Sequence, residues 1–161
     1  MSYTNADGLR ILTNGGDGTE ATSGTSNGAG QVRTLCIDLL GTAIGSSFGA
    51  SNIDPNAPFI PANSLIINAD FVVTAAFTSG GAATLTIGTY NSAGAAVDAD
   101  GIDATVAVAA INTIGFVVQC DGAQVNGTLT VGTADCYVGA IYGTAAYTAG
   151  AGKLYIQYIK L

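Results

Sequence analysis

The sequence predicts an all-β fold: an antiparallel β-sandwich, jelly-roll-like, with one short helix and an extended N-terminal arm. About eight segments are rich in β-branched and aromatic residues, and turn signals separate them at short intervals. Such spacing favours a sandwich or jelly roll over alternating βαβ units. The chain is long enough for one domain with a real core, and 48% of its residues are hydrophobic.

The chain divides by composition into residues 1–30 and residues 31–161. Residues 13–31 read TNGGDGTEATSGTSNGAGQ, which has no apolar period and cannot bury enough surface to fold alone. Leu9 to Leu12 is the one short apolar run before it and is a candidate pairing strand. We therefore expect an extended arm over residues 1–30, ordered only when it lies on something, and a sandwich domain over residues 31–161.

Strands are predicted wherever β-branched and aromatic residues cluster between turns. Residues 45–63 contain all three prolines and predict a long irregular connection. A bulge is expected near Asn68 to Asp70, and the related hexamers TLTIGT (84–89) and TLTVGT (128–133) suggest two equivalent strands. The predicted strands of the sandwich cover residues 32–40, 64–79, 83–90, 116–120, 127–134, 137–143 and 153–161.

One helix is predicted at residues 102–112, where Ile102, Val106 and Ala109 recur at helical spacing in an alanine-rich segment. Asp100 or Asp103 would cap its start. The period is ambiguous, because alternation of Val106, Val108 and Ala110 also fits a strand.

The charge balance argues against two classes of partner. The net charge is −7, and only four basic residues are present: Arg10, Arg33, Lys153 and Lys160. A nucleic-acid-binding protein needs a basic patch, and an anionic membrane surface repels an acidic protein. No apolar run reaches the roughly 20 residues that span a bilayer. The N-terminus lacks a signal-peptide pattern, so we expect synthesis in a cytoplasm without conventional export.

The polar residues predict no catalytic site, and we expect a protein that is not an enzyme and uses no cofactor. The chain has no His, and its acidic residues are ten scattered aspartates and Glu20, mostly beside Gly, Asn or Ala. That pattern is typical of turns, whereas acid–base chemistry at neutral pH usually needs His or closely paired carboxylates. A small hydrolase using an aspartate pair stays open only as a remote alternative.

Two groups of potential ligands are interpreted as structural. Cys36, Cys120 and Cys136 lack any His partner and form no CxxC pair, so we expect three small buried side chains, with a Cys120–Cys136 disulfide left open. Asp98, Asp100 and Asp103 alternate around Gly101, which is a pattern that calcium loops use. The EF-hand spacing is absent, so a turn is favoured, cation binding stays open, and no metal site is predicted.

Three stretches of the sequence carry a family resemblance: YTNADGL at residue 3, IPANSLIINADFVVTAAFTSGGAATLTIGTY at residue 60 and AVDADGIDA at residue 96. They resemble small head proteins of tailed bacteriophages, especially those of cyanophages and marine podoviruses, and capsid decoration (cement) proteins. The resemblance is best over residues 60–116. It implies a homotrimeric β-sandwich at three-fold positions of the capsid lattice, bound to the outer surface of the major capsid protein on the virion and made in the host cytoplasm.

The residues themselves fit that role. Charged residues are only 9% of the chain, so its surface consists mainly of Thr, Ser, Asn, Gly and Ala. Burying such a surface against another subunit costs less free energy than burying charged side chains. The alternative is a virion fibre or adhesin module that binds a host surface glycan. The tyrosines near the C-terminal end would serve such a site, although packing in the core or between subunits is the favoured use for them.

Overall fold

The computed structural model describes residues 2–4, 10–12, 31–54, 56–127 and 129–161, with backbone alone for the first two ranges. These residues form an all-β fold with two four-stranded antiparallel sheets and a separate two-stranded one. In chain order the strands are β1 Ser2–Thr4, β2 Arg10–Leu12, β3 Val32–Leu40, β4 Phe59–Ile60, β5 Ser64–Ser79, β6 Thr84–Tyr90, β7 Ala96–Ala107, β8 Val117–Gln119, β9 Cys136–Gly143 and β10 Tyr147–Lys160.

The two larger sheets form the layers of a sandwich. Sheet A has the order β3-β10-β5-β8, and sheet B has the order β4-β9-β6-β7. Because side chains alternate along a strand, each sheet turns one row of apolar residues inward. The fully buried members include Phe71, Val73, Leu154 and Ile156 from sheet A, and Leu85, Ile87 and Ile102 from sheet B. The prediction of an antiparallel β-sandwich is confirmed.

Two strand predictions match the structure at both ends. Residues 32–40 form β3 and residues 64–79 form β5. The ladder between β5 and β10 shifts register between the pairs Asn68–Gln157 and Ile66–Tyr158, which leaves Ile67 as a bulge next to the predicted position. The bulge lets Ile66 and Ala69 both face the core.

The predicted helix at residues 102–112 is wrong. Of this segment, residues 102–107 belong to strand β7, and Val108–Ala110 forms a single 3₁₀ turn. The ladder between β6 and β7 shifts register on both sides of the Ile87–Asp103 pair, so β7 carries extra residues there. These bulges move apolar side chains off strict alternation and produce a spacing that imitates a helix.

The predicted strand at residues 127–134 is also wrong, so the two hexamers do not mark equivalent strands. In the described part of that segment, the β-pairing consists of a single antiparallel bridge between Thr130 and Leu65. Asn126, Gly127 and Gly132 have φ values of +72°, +70° and +104°, and left-handed backbone of this kind interrupts an extended strand.

Most of the predicted arm lies outside the described residues, so the division into an arm and a domain stays a prediction. Within it, β1 and β2 pair antiparallel, with Tyr3 opposite Ile11, and this agrees with a pairing segment at Leu9 to Leu12. In the described residues, no helix is long and apolar enough to cross a membrane.

Candidate functional site

The acidic segment of β7 is a structural bulge. Burial is the main cause that raises the pKa of Asp98, and the neighbouring Asp100 carboxyl adds to that rise, while a hydrogen bond from the backbone of Asp100 opposes it. Asp103 is 5% exposed, and its Oδ1 accepts a hydrogen bond of 3.2 Å from the backbone of Thr105. Burial is also the main cause that raises the pKa of Asp103, while the hydrogen bonds from Thr105 and the Cys120 thiol oppose that rise.

Two positions in and beside this segment, 101 and 122, have no room for a side chain and therefore require glycine. A Cβ on Gly101 would lie 2.7 Å from Cγ of Asp98 and from Oε1 of Gln124, and one on Gly122 would lie 2.4 Å from the Gly101 carbonyl oxygen. The backbone of Gln124 donates to Gly101 over 2.8 Å, and its buried Oε1 accepts from the Thr89 hydroxyl over 2.8 Å. The residues that suggested a calcium loop therefore hold the segment from residue 121 to 125 against β7. Among the described residues, no group of three or more His, Cys, Asp or Glu is placed to hold a metal ion.

The three cysteines are free, so Cys120 and Cys136 are not bridged. Burial, with Asp103 and Asp70 adding to it, raises the pKa of Cys120 to about 12, and this thiol donates to Asp103. Cys136 is buried, donates to the Val131 carbonyl over 3.2 Å and has its pKa raised by burial. Cys36 is exposed on β3, so the expectation of three buried cysteines is wrong for that residue. It lies on the side of β3 opposite the core-facing Leu35 and Ile37.

The outer face of sheet A is a mixed, weakly charged surface. Lys153 forms an ion pair of 2.5 Å with Asp38, and Asn68 donates to Asp70 over 2.6 Å. Tyr155, which is 37% exposed, lies in register between Cys36 and Asp70. Other members of this face include Val32, Thr34, Leu40, Leu65, Val72, Val117, Gln119, Gln157 and Ile159.

An apolar turn projects beside the β8 edge of sheet A; we define it as Ile114, Phe116 and Val117, which are 68%, 47% and 59% exposed. Gly115 has φ +86°, which a glycine adopts without strain. Its N–H donates to Val73 over 2.9 Å, and the Phe116 carbonyl accepts from Val73 over 2.9 Å. The turn is therefore pinned to β5 while its side chains face outward. The sequence predicted a strand at 116–120 and gave no sign of this projection.

A groove runs along the open side of the sandwich, between the edge strand β3 and strand β9. Its volume is about 370 Å³. The connection from residue 44 to 57 forms its outer wall, where Phe48 packs on Tyr90 with ring centroids 4.3 Å apart. The polar rim carries Asp38 and Asp54. We call this the edge groove, and its apolar lining includes Ile37, Ile44, Phe48, Ala57, Val138 and Ala140.

The C-terminal tyrosines divide between core and surface, as the packing interpretation requires. Tyr147 and Tyr158 are buried, and Tyr147 packs edge-on against Phe77. Tyr142 is partly buried against the core, and Tyr137 packs at 6.0 Å from Phe59, which is 41% exposed. Phe59 and Tyr137 together offer a partly open aromatic surface, and Tyr155 is exposed on the outer face of sheet A.

Comparisons with known proteins bear on the fold. No protein-family model matches the sequence, and neither does any curated protein sequence. Two solved structures are similar. A chain of the capsid of Ralstonia phage GP4 has a TM-score of 0.58 and 16% identity, covering 88% of this chain and 92% of its own. A chain of the cyanophage Pam1 capsid asymmetric unit has a TM-score of 0.54 and 15% identity, covering 92% of this chain and 98% of its own. At these identities the likeness establishes a shared fold.

Proposed function

We propose that this chain is a structural, non-catalytic protein of a phage virion that binds the outer surface of the major capsid protein lattice and stabilises the head as a homotrimer. The observation that carries this proposal is the near-complete overlap with chains from two phage capsids, at TM-scores of 0.58 and 0.54. The alignments cover 92% and 98% of those chains, so the likeness extends over most of the fold. The sequence resemblance to head proteins over residues 60–116 points the same way.

The surface chemistry supports a role in assembly. The outer face of sheet A has one ion pair, Asp38 with Lys153, and is otherwise built mainly of neutral side chains. Covering Thr, Gln and Val costs less free energy than covering unpaired charges. A partner that binds only the assembled lattice stabilises it by linkage, and weak sites repeated over a shell act together.

The apolar turn is our candidate for the contact with the lattice. Its three exposed apolar side chains stand together on a turn fixed by backbone hydrogen bonds to Val73. Burial of such groups stabilises an interface by about 25 cal/mol for each Å² removed from water. A rigid turn also loses little conformational entropy on binding.

Co-sedimentation with empty phage shells tests the proposal. The wild-type chain is expected to pellet with shells and to raise the temperature at which they disrupt. The double variant Ile114→Ser with Phe116→Ser is expected to bind at least tenfold more weakly, whereas Val97→Ser, an exposed apolar control on sheet B, is expected to bind normally. Wild-type protein that stays in the supernatant at high concentration would contradict the proposal. Mass photometry checks the trimer, which has three times the 15.9 kDa of one chain.

The second candidate is a virion fibre module that binds a host surface glycan. The Phe59–Tyr137 pair favours it, because two partly exposed rings 6.0 Å apart can stack on a sugar. Binding on a glycan array that is lost in Phe59→Ala, without any binding to shells, would select this candidate over the first.

A further inference from the structure

Strand β3 is an open edge of sheet A. It pairs with β10 over nine successive positions without a register shift, from Val32–Ile159 to Leu40–Ala151. On its other side, no strand of the described residues pairs with it. A regular edge of this length presents a row of unpaired N–H and C=O groups, which is a template for a further strand.

The other three sheet edges are less suited to a further strand. In sheet A, β8 offers only three residues, and in sheet B, β4 offers two. The β7 edge is long but bulged, and it carries Asp98 and Asp100. Bulges and charges of this kind are what protect an edge from pairing. Strand β3 has neither a bulge nor a proline, and its Asp38 charge is neutralised by Lys153. Its other charged residue, Arg33, lies at the end of the strand away from the edge groove.

The edge groove lies beside the C-terminal half of β3. Residues from Ile37 to Leu40 form one border, and residues 138–140 of β9 form the other. A strand added to β3 would therefore have its backbone on a free edge and an apolar side chain above Ile37 and Val138. Peptides that join a sheet edge take their affinity from the backbone and their specificity from such pockets.

The chain also contains a two-stranded hairpin that belongs to neither of the four-stranded sheets. Strands β1 and β2 pair only with each other and join neither larger sheet in the single chain. A two-stranded hairpin is marginally stable in water and needs a third strand or a packed face. The three residues of β2 are short enough to pair within the four residues of β3, Ile37 to Leu40, that border the groove.

Charge also makes β2 and the groove complementary. Arg10 is one of only four basic residues, and it lies in β2. The groove rim carries Asp38 and Asp54, of which Asp38 is paired with Lys153. Asp54 accepts a hydrogen bond from the backbone of Asn56 but has no ion-pair partner in the described part of the chain, so its charge is not neutralised. An acid on the rim and a base on the incoming strand favour association and fix its direction.

We propose that β2 of a second copy of this chain adds to the free edge of β3 in the edge groove. This inference rests on the proposed self-association and names its contact. Residues 13–31 join β2 to β3 and, at up to roughly 3.5 Å per residue when extended, are long enough to reach an adjoining copy.

Capture between two differently tagged populations of the full chain tests the proposal. Ile11→Pro removes a backbone donor from β2, and Ala57→Arg fills the groove. Wild-type chains should capture each other, whereas each variant should capture itself at least tenfold less. Ala110→Arg, an exposed alanine outside the groove, is the matched control and should behave as wild type. Thermal unfolding of each variant checks that it is folded.

A mixture of the two variants decides whether the contact is between copies. Ala57→Arg keeps β2 and Ile11→Pro keeps the groove, so the two should capture each other at least tenfold more than either captures itself. A synthetic peptide of residues 8–13 should release wild-type partners, and a scrambled peptide should not. Failure of the mixture to associate would overturn the proposal in favour of docking within one chain. Capture that neither variant lowers would also overturn it.

Shell binding is measured apart from capture, which separates the two ideas. Chains that capture each other as described but ignore shells would contradict the proposed function alone. Chains that bind shells while self-capture is insensitive to both variants would contradict this inference alone.

Discussion

The ring of Phe71 occupies the space that a side chain on Gly152 would need. A Cβ on Gly152 would lie 2.3 Å from Cζ of Phe71 and 2.9 Å from the carbonyl oxygen of Val72. Phe71 is fully buried and packs edge-on against Phe77, with ring centroids 5.8 Å apart. The close approach of β10 to β5 therefore depends on a glycine at this position.

Gly152→Ala is expected to destabilise the fold by about 1–3 kcal/mol, because the added methyl group forces Phe71 or the backbone to move. Urea unfolding measures the loss. Gly49→Ala is the control: a Cβ there meets nothing within 4 Å, so its free energy of unfolding should stay within about 0.5 kcal/mol of wild type. Equal stability of the two variants would contradict the packing described.

Asp103 should make stability depend on pH in a defined direction. Burial raises the pKa of its carboxyl above the ordinary value of 3.8. A raised pKa in the folded state means that protonation favours folding, so the contribution is complete below pH 3.8 and is lost as pH rises through the folded-state pKa. The free energy of unfolding of wild type, measured relative to Asp103→Asn, should therefore increase as pH falls from 7 towards 3. A difference that is constant over this range would show that Asp103 does not titrate as expected.

The cysteines should differ sharply in reactivity. Cys36 is exposed, whereas Cys120 and Cys136 are buried with raised pKa values. Because the thiolate is the reactive form, a thiol reagent at pH 8 should modify Cys36 rapidly and the other two only on unfolding. Mass spectrometry counts the labels. Cys36→Ser should remove the fast reaction, and a fast phase that survives in this variant would contradict the assignment.

Removal of residues 1–30 is expected to leave a folded sandwich that binds shells more weakly. In the described residues, both large sheets begin after this segment, and the buried residues described for the core all follow it. Circular dichroism checks the fold, and co-sedimentation with shells checks attachment. Unfolding of the shortened chain would contradict the domain boundary, and undiminished binding would contradict a role of the arm in attachment.

The predictions from sequence succeeded where local pattern and long-range pairing agree. In β3 and β5, β-branched residues and turn signals mark the same limits that the ladders set. They failed where the pairing partners, rather than the local composition, determine whether a segment forms a strand. Residues 96–101 and 147–152 are rich in Ala, Gly and Asp, which disfavour strands locally, yet they pair with β6 and with β3 and β5. The hexamer at 128–133 has a strand composition, but positive φ at Gly132 turns the chain away.

The candidate surfaces were harder to foresee than the fold. The resemblance and the low charge indicated a surface that a partner covers, but neither indicated where it lies. The edge groove exists because β3 ends sheet A and the short β4 pairs with only two residues of β9, Cys136 and Tyr137. The apolar turn exists because Gly115 bends the chain before β8. Both features depend on the relative positions of distant segments, which periodicity does not encode.

The place of β10 in sheet A has a consequence for biosynthesis. It lies between β3 and β5, although it follows both along the polypeptide. While a ribosome is still translating the segment before Tyr147, no strand joins β3 to β5, and the core lacks Tyr147, Leu154, Ile156 and Tyr158. Completion of sheet A must therefore wait for this strand to emerge, and until then the nascent chain exposes β3 and one side of β5 as unpaired strand edges, which favour aggregation.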